Sequence, residues 1–231
     1  MDDDERIRDA VRQTEILRAP KQSLYSFGTT NLYYYLVTEP VYAEKSRPPE
    51  TVIREGKVIA DRPKIVTPYY LSRLEGFSTE ARRYFDSVLG EKSNASGLLY
   101  TYKNEPKEMN IVSDPLSAAV AKLNEDLDRR GDPLVSIIKG MDELWDVSLM
   151  KFIYEITRTS LPDNVRQMGQ RGLLKMDSEG IPGDARVRIK DLFRQVSNGE
   201  SEPGVLKAEL DRWGLFAEYE DRFFSLFKKR H

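Results

Sequence analysis

The segment Thr51-Val52-Ile53-Arg54-Glu55-Gly56-Lys57-Val58-Ile59-Ala60 decides the fold class. Two runs rich in β-branched residues flank Glu55-Gly56. Glycine as the second residue of a two-residue loop marks a tight hairpin turn, although glutamate is a poorer first turn residue than asparagine or aspartate. The pattern predicts a β-hairpin, and with it a small sheet in the N-terminal half. Upstream, Leu32-Tyr33-Tyr34-Tyr35-Leu36-Val37 has the aromatic and β-branched content of a strand, with Tyr33 and Tyr35 on one side and Tyr34 on the other. Lys64 to Thr67, bounded by Pro63 and Pro68, and Gly97 to Lys103 are further strand candidates. Helices are expected over Asp4 to Arg18, stopped by Pro20, and over Tyr69 to Glu75 and Thr79 to Leu89.

Beyond Val112 the periodicity turns helical. Asp114-Pro115 and Asp132-Pro133 each place a capping aspartate before a proline. Leu116, Ala119, Val120, Leu123 and Leu127 fit one helical face, and Leu134, Ile137, Ile138, Met141, Leu144 and Trp145 fit another, with Gly131 as the cap between them. Further helices are expected over Ser148 to Arg158, Asp184 to Val196, Pro203 to Trp213 and Leu215 to Lys229. The expectation is an α+β, predominantly helical fold: a mixed N-terminal part over residues 1–112 and a helical part over 113–231, packed as one body.

Composition removes whole classes of chemistry. The 231 residues include no cysteine and one histidine, His231. Disulfides, thiolate nucleophiles, zinc fingers and histidine-based triads are therefore excluded. Phosphate-binding glycine loops and the Gly-x-Ser-x-Gly elbow are also missing. The 36 basic and 38 acidic side chains nearly cancel, which argues against a polyanion-coating protein. No cofactor and no membrane span are expected, and a cytoplasmic location is the default for a chain that opens on Asp2-Asp3-Asp4-Glu5. Asp142, Glu143 and Asp146 read as a solvated helix face rather than a metal site.

Residues 148–182 carry the one recognition signal. Ser148 to Arg158 is followed by a short turn, then by Ser160-Leu161-Pro162-Asp163, a capping-box variant, and by Arg171-Gly172-Leu173-Leu174-Lys175-Met176-Asp177-Ser178-Glu179-Gly180. This stretch resembles a winged helix-turn-helix. The resemblance implies a recognition helix with Val165 and Met168 inward and with Asn164, Arg166, Gln167, Gln170 and Arg171 outward, Lys175 following. It also implies a wing whose second strand lies near Ala185 to Ile189. Such side chains reach base edges and phosphates in a major groove. Between 158 and 190 there are seven basic and four acidic residues, a net of +3.

The function expected from these features is that of a non-catalytic binding or regulatory protein, with nucleic acid or a protein as partner. One alternative is a scaffold that uses the aromatic terminal helix, where Phe224 falls off the face formed by Phe216, Tyr219, Phe223, Leu226 and Phe227. Another is a small-ligand pocket or a Tyr/Arg/carboxylate enzyme built on the tyrosine-rich segment 25–42, with Asn31, Tyr33, Tyr35 and Arg54 in the pocket.

Overall fold

In the computed structural model, which describes residues 3–41, 48–66, 74–75, 78–81, 83–84, 97–179 and 181–228, the chain runs through α1 (Asp3–Gln13), β1 (Glu15–Arg18), β2 (Thr30–Thr38), β3 (Thr51–Ala60), β4 (Lys64–Val66), β5 (Leu74–Glu75), β6 (Gly97–Leu99), β7 (Tyr102–Val112), α2 (Leu116–Arg130), β8 (Val135–Lys139), α3 (Trp145–Gln170), α4 (Gly183–Asn198), α5 (Pro203–Arg212) and α6 (Phe216–Lys228). The fold is α+β. Six strands form a mixed sheet in the order β1-β8-β2-β3-β7-β5, and β4 pairs with β6 in a second, two-stranded sheet. Two compact units divide the chain at Asn164/Val165.

In the first unit, period-two alternation on β2 sorts residues between the sheet's two faces. Leu32, Tyr34 and Leu36 join Val58, Tyr102 and Ile138 in a core with Ile7 and Ala10 of α1 and Leu149, Phe152 and Ile153 of α3. The opposite face carries Val37, Val135 and Ile137 under Leu123 and Leu127 of α2, with Tyr35 and Ile53 packed alongside. The predicted split of the three tyrosines holds: Tyr34 is buried, Tyr35 half-buried and Tyr33 exposed.

The hairpin predicted at Glu55-Gly56 does not form. Thr51 to Ala60 is one continuous strand, antiparallel to β2 on one side and to β7 on the other. Gly56 is there for space rather than for a turn. A Cβ at this position would lie 2.5 Å from the Tyr34 hydroxyl oxygen and 2.9 Å from the Glu105 carbonyl oxygen. The tyrosine ring fills the place of the missing side chain, and its hydroxyl donates to Asn104 Oδ1 at 3.1 Å. A bulge beside Gly56 sets Gly56 against Pro106 and Glu55 against Glu108, leaving Lys107 as the extra residue. In β7 the bulge and Pro106, which lacks an N–H, limit pairing beyond the short β5 partner at Tyr102 and Lys103.

A second correction concerns Asp132 to Leu144, predicted as a helix. Val135-Ser136-Ile137-Ile138-Lys139 is β8, parallel to β2 and antiparallel to β1. Five residues with three β-branched apolar side chains, buried on both faces, suit a central parallel strand. The sheet thus takes an interior strand from beyond residue 112, from within the part expected to be helical. Likewise α1 stops at Gln13, and Glu15–Arg18 turns into an edge strand. Of the helix predicted over 69–75, the described end, Leu74–Glu75, is strand β5. The helix predicted over 79–89 is helical at the described residues 79–81 and 83–84, and its remainder lies outside them.

The second unit is helical. Ile189, Leu192, Phe193 and Val196 of α4 pack with Leu206 and Leu210 of α5 and with Leu215 and Phe223. Among the described residues, no helix is long and apolar enough to cross a membrane.

Candidate functional site

The stretch that resembles a winged helix-turn-helix is built differently from the expectation. α3 runs unbroken from Trp145 to Gln170 and carries Pro162 inside it, so no turn separates residues 158 and 160. Proline supplies no N–H to the helix ladder. Just before it, three hydroxyls bond back to helix carbonyls: Thr157 to Ile153 at 2.5 Å, Thr159 to Ile156 at 3.0 Å and Ser160 to Ile156 at 2.6 Å. Ser160 is thus no capping residue. Its hydroxyl also accepts the backbone N–H of Leu24 at 2.9 Å.

Asn164, expected to face outward, is 1% exposed. Its amide donates to the Leu24 carbonyl at 2.9 Å and to Ser26 Oγ at 2.8 Å, and its oxygen accepts the Tyr100 hydroxyl at 2.6 Å. A buried amide with this many partners ties a loop down rather than reading a surface. Tyr102 makes a similar link to Thr157. Burial pushes the hydroxyl pKa of Tyr100 and Tyr102 far up, and it pushes Tyr34 up to about 12.

Arg166, Gln167, Gln170, Arg171 and Lys175 are all exposed, Met168 is fully buried, and Val165, expected inward, is 40% exposed. Beyond α3, residues 172–179 and 181–184 are tied together by backbone bonds. Gly183 N–H bonds to the Lys175 carbonyl at 2.9 Å, Asp177 N–H bonds to that of Ile181 at 3.0 Å, and Met176 bridges Pro182. Ala185 to Ile189, the expected second wing strand, lies in α4. The periodicity of Ala185, Ile189, Leu192, Phe193 and Val196, all buried in the α4 core, decides that conflict in favour of helix.

Arg186 closes this turn. Its guanidinium reaches Asp177 at 2.9 Å, Glu218 at 3.0 Å and the Tyr219 hydroxyl at 3.2 Å, and it also pairs with Glu179. Asp177 takes the backbone N–H groups of Ile181 and Glu179, both at 2.9 Å. The Ile181 bond and the Arg186 contact hold its carboxyl below the usual range.

The tyrosine-rich pocket does not assemble. Asn31, Tyr33 and Tyr35 lie on the α2 side of the sheet. Arg54 pairs across from Leu36 and projects to the other side. There its guanidinium meets Asp142 at 2.8 Å and donates to Thr38 Oγ1 at 3.0 Å, and Thr38 donates to Asp142 at 2.7 Å. Trp145 lies 5.7 Å beneath the guanidinium. Asp142 is therefore no solvated helix residue, and neither is Asp146, whose carboxylate accepts the Ser78 N–H at 3.0 Å.

Among the concave features that sequence reasoning missed is a cleft of about 380 Å³ beyond the carboxyl ends of β2 and β8. Its walls include Glu15, Glu39, Leu116, Lys139, Asp142 and Glu143. In sheets with parallel strands such ends are where ligands settle. Reading β8 as a strand would have exposed it. Lys139 pairs with Glu15, Arg6 with Glu143 and Arg54 with Asp142, so three of its four carboxylates are already engaged. Among the described residues, no group of three or more acidic or histidine side chains is placed to hold a metal.

The chain matches no family model, no curated protein and no solved structure.

Proposed function

We propose that the chain is a non-catalytic binding protein whose second unit contacts nucleic acid through the end of α3. The observation that carries this reading is the joint exposure of Arg166, Gln167, Gln170, Arg171 and Lys175 on the last turns of one helix and the turn that follows. Arginine forks suit phosphates and guanine edges, and glutamine amides suit adenine. Arg166 and Arg171 also make interactions within the protein, which a phosphate would have to exchange. The local net charge of +3 is modest. Binding is therefore expected in the non-specific range, with Kd of roughly 1–100 μM at physiological salt, and steeply salt-dependent.

Fluorescence anisotropy with a random-sequence DNA duplex tests the reading. At about 50 mM salt the native chain should bind, and Arg166→Ala with Arg171→Ala should weaken binding several-fold and flatten the salt slope by about two. No binding at that salt, or binding that the double substitution leaves unchanged, rejects the proposal.

A further inference from the structure

Helix α6 has a second apolar face that its own unit leaves uncovered. Phe216, Tyr219, Phe223 and Leu226 pack against the core of the second unit. Phe224 and Phe227 lie beside that stripe and remain 49% and 44% exposed. Single exposed apolar residues are ordinary on protein surfaces. These two rings differ in being held in place: Phe224 meets Phe216 and Phe223 edge-on with centroids 6.4 and 5.7 Å apart, and Phe227 meets Phe223 at 5.6 Å. A patch fixed by such edge contacts loses little side-chain freedom when something covers it.

The charge along the helix says what fits. The first half carries Glu218, already paired with Arg186, then Glu220 and Asp221 ahead of Arg222, and the helix ends at Lys228, after which the sequence reads Lys229-Arg230. We propose that α6 pairs antiparallel with α6 of a second copy of this chain, with Phe224 on the two-fold axis. Glu220 lies four residues before Phe224 and Lys228 four residues after it. The reversed helix therefore sets position 220 of one copy across from position 228 of the other, twice over. A two-fold interface needs such a self-complementary patch, and parallel pairing would set acidic start against acidic start. The face is small: 13 residues of helix span roughly 20 Å, well below what an interface of about 1,200 Å² requires. The dimer is accordingly weak, forms only as concentration rises, and loosens with salt. It needs no nucleic acid and stands apart from the binding proposal above.

Sedimentation velocity on the full chain tests it over about 10 μM to 1 mM, the range in which a weak pair dissociates. The weight-average mass should climb from 26.6 kDa toward twice that value. Phe224→Ser should hold the chain monomeric, with an unchanged circular-dichroism melt. Glu220→Lys should weaken association several-fold, and adding Lys228→Glu to it should restore association. A constant monomer mass across the range, a Phe224→Ser variant that associates like the native chain, or a charge swap that fails to restore pairing would overturn the proposal.

Discussion

The two units solve the same problem, fastening one segment to another through side chains, with opposite chemistry. In the first, the fasteners are neutral and buried: Asn164 with Leu24, Ser26 and Tyr100, Tyr34 with Asn104, and Thr14 with Ser148 at 2.7 Å. In the second, one arginine gathers Asp177, Glu179 and Glu218 at a partly open surface. Neutral buried bonds leave costly orphans when one partner is removed. Exposed ion pairs contribute little and yield to salt and acid. The contrast implies that the first unit depends heavily on single residues and fails in alkali, while the second tolerates substitution and loosens in acid.

The chain has two tryptophans, Trp145 in the first unit and Trp213 in the second. Trp145→Phe and Trp213→Phe backgrounds therefore report each unit separately by fluorescence during urea unfolding. The largest effect is expected from Gly56→Ala, which drives a methyl group into the Tyr34 ring and the Glu105 carbonyl. It should cost about 3 kcal/mol or more in the Trp145 transition and nothing in the Trp213 transition. Next comes Asn164→Leu, close in size but unable to hydrogen-bond. It strands the Leu24 carbonyl, Ser26 and the Tyr100 hydroxyl, and should cost about 2–4 kcal/mol, again read through Trp145.

Alkali tests the same contrast through titration. Tyr34 ionises near 12 in the folded chain against 10.0 when unfolded, chiefly because burial disfavours the phenolate. A pKa raised by folding supplies stability that is whole below the unfolded value and is lost as pH climbs through the folded one. The first unit should thus weaken between pH 10 and pH 12, by on the order of 2–3 kcal/mol from Tyr34 alone. Tyr100 and Tyr102 shift in the same direction. Tyrosinate absorbance that rises together with loss of the Trp145 signal would match this, and smooth titration of every tyrosine near pH 10 without unfolding would contradict it.

The smallest effect is expected from Arg186→Met, about 1 kcal/mol or less, in the Trp213 transition and shrinking with added salt. Asp177 gives the acid counterpart. Its carboxyl pKa is lowered on folding, first by the Ile181 N–H, so its contribution is present above the unfolded value of 3.8 and fades as pH falls below that. A Trp213 melt that is flat with pH down to the acid limit would break the contrast.

How much of this the sequence disclosed depended on the range of the deciding contact. Strand β2 and helices α2, α4, α5 and α6 declared themselves, because local period and nearby caps settle them. Gly131, for instance, ends α2 in the left-handed conformation at φ 69°. The Glu55-Gly56 hairpin misled because a glycine required by a ring 22 residues earlier looks identical to one required by a turn. β8 misled because a short run of buried β-branched residues fits either period. At the site, the outward positions on α3 were legible from the helical repeat, whereas Asn164 was not. Its partners, Leu24, Ser26 and Tyr100, lie 64 to 140 residues away in sequence.

The Arg54–Thr38–Asp142 triangle has one more consequence. It joins adjacent strands β2 and β3 to the connection after β8, with both charged side chains largely shielded, 16% and 18% exposed. Were β3 to slide by a single residue along its neighbour, its whole alternation would invert, and the guanidinium would be thrust among the leucines of α2 with no counter-ion. A shifted register would therefore leave two largely shielded charges without partners, a cost that the observed alignment avoids.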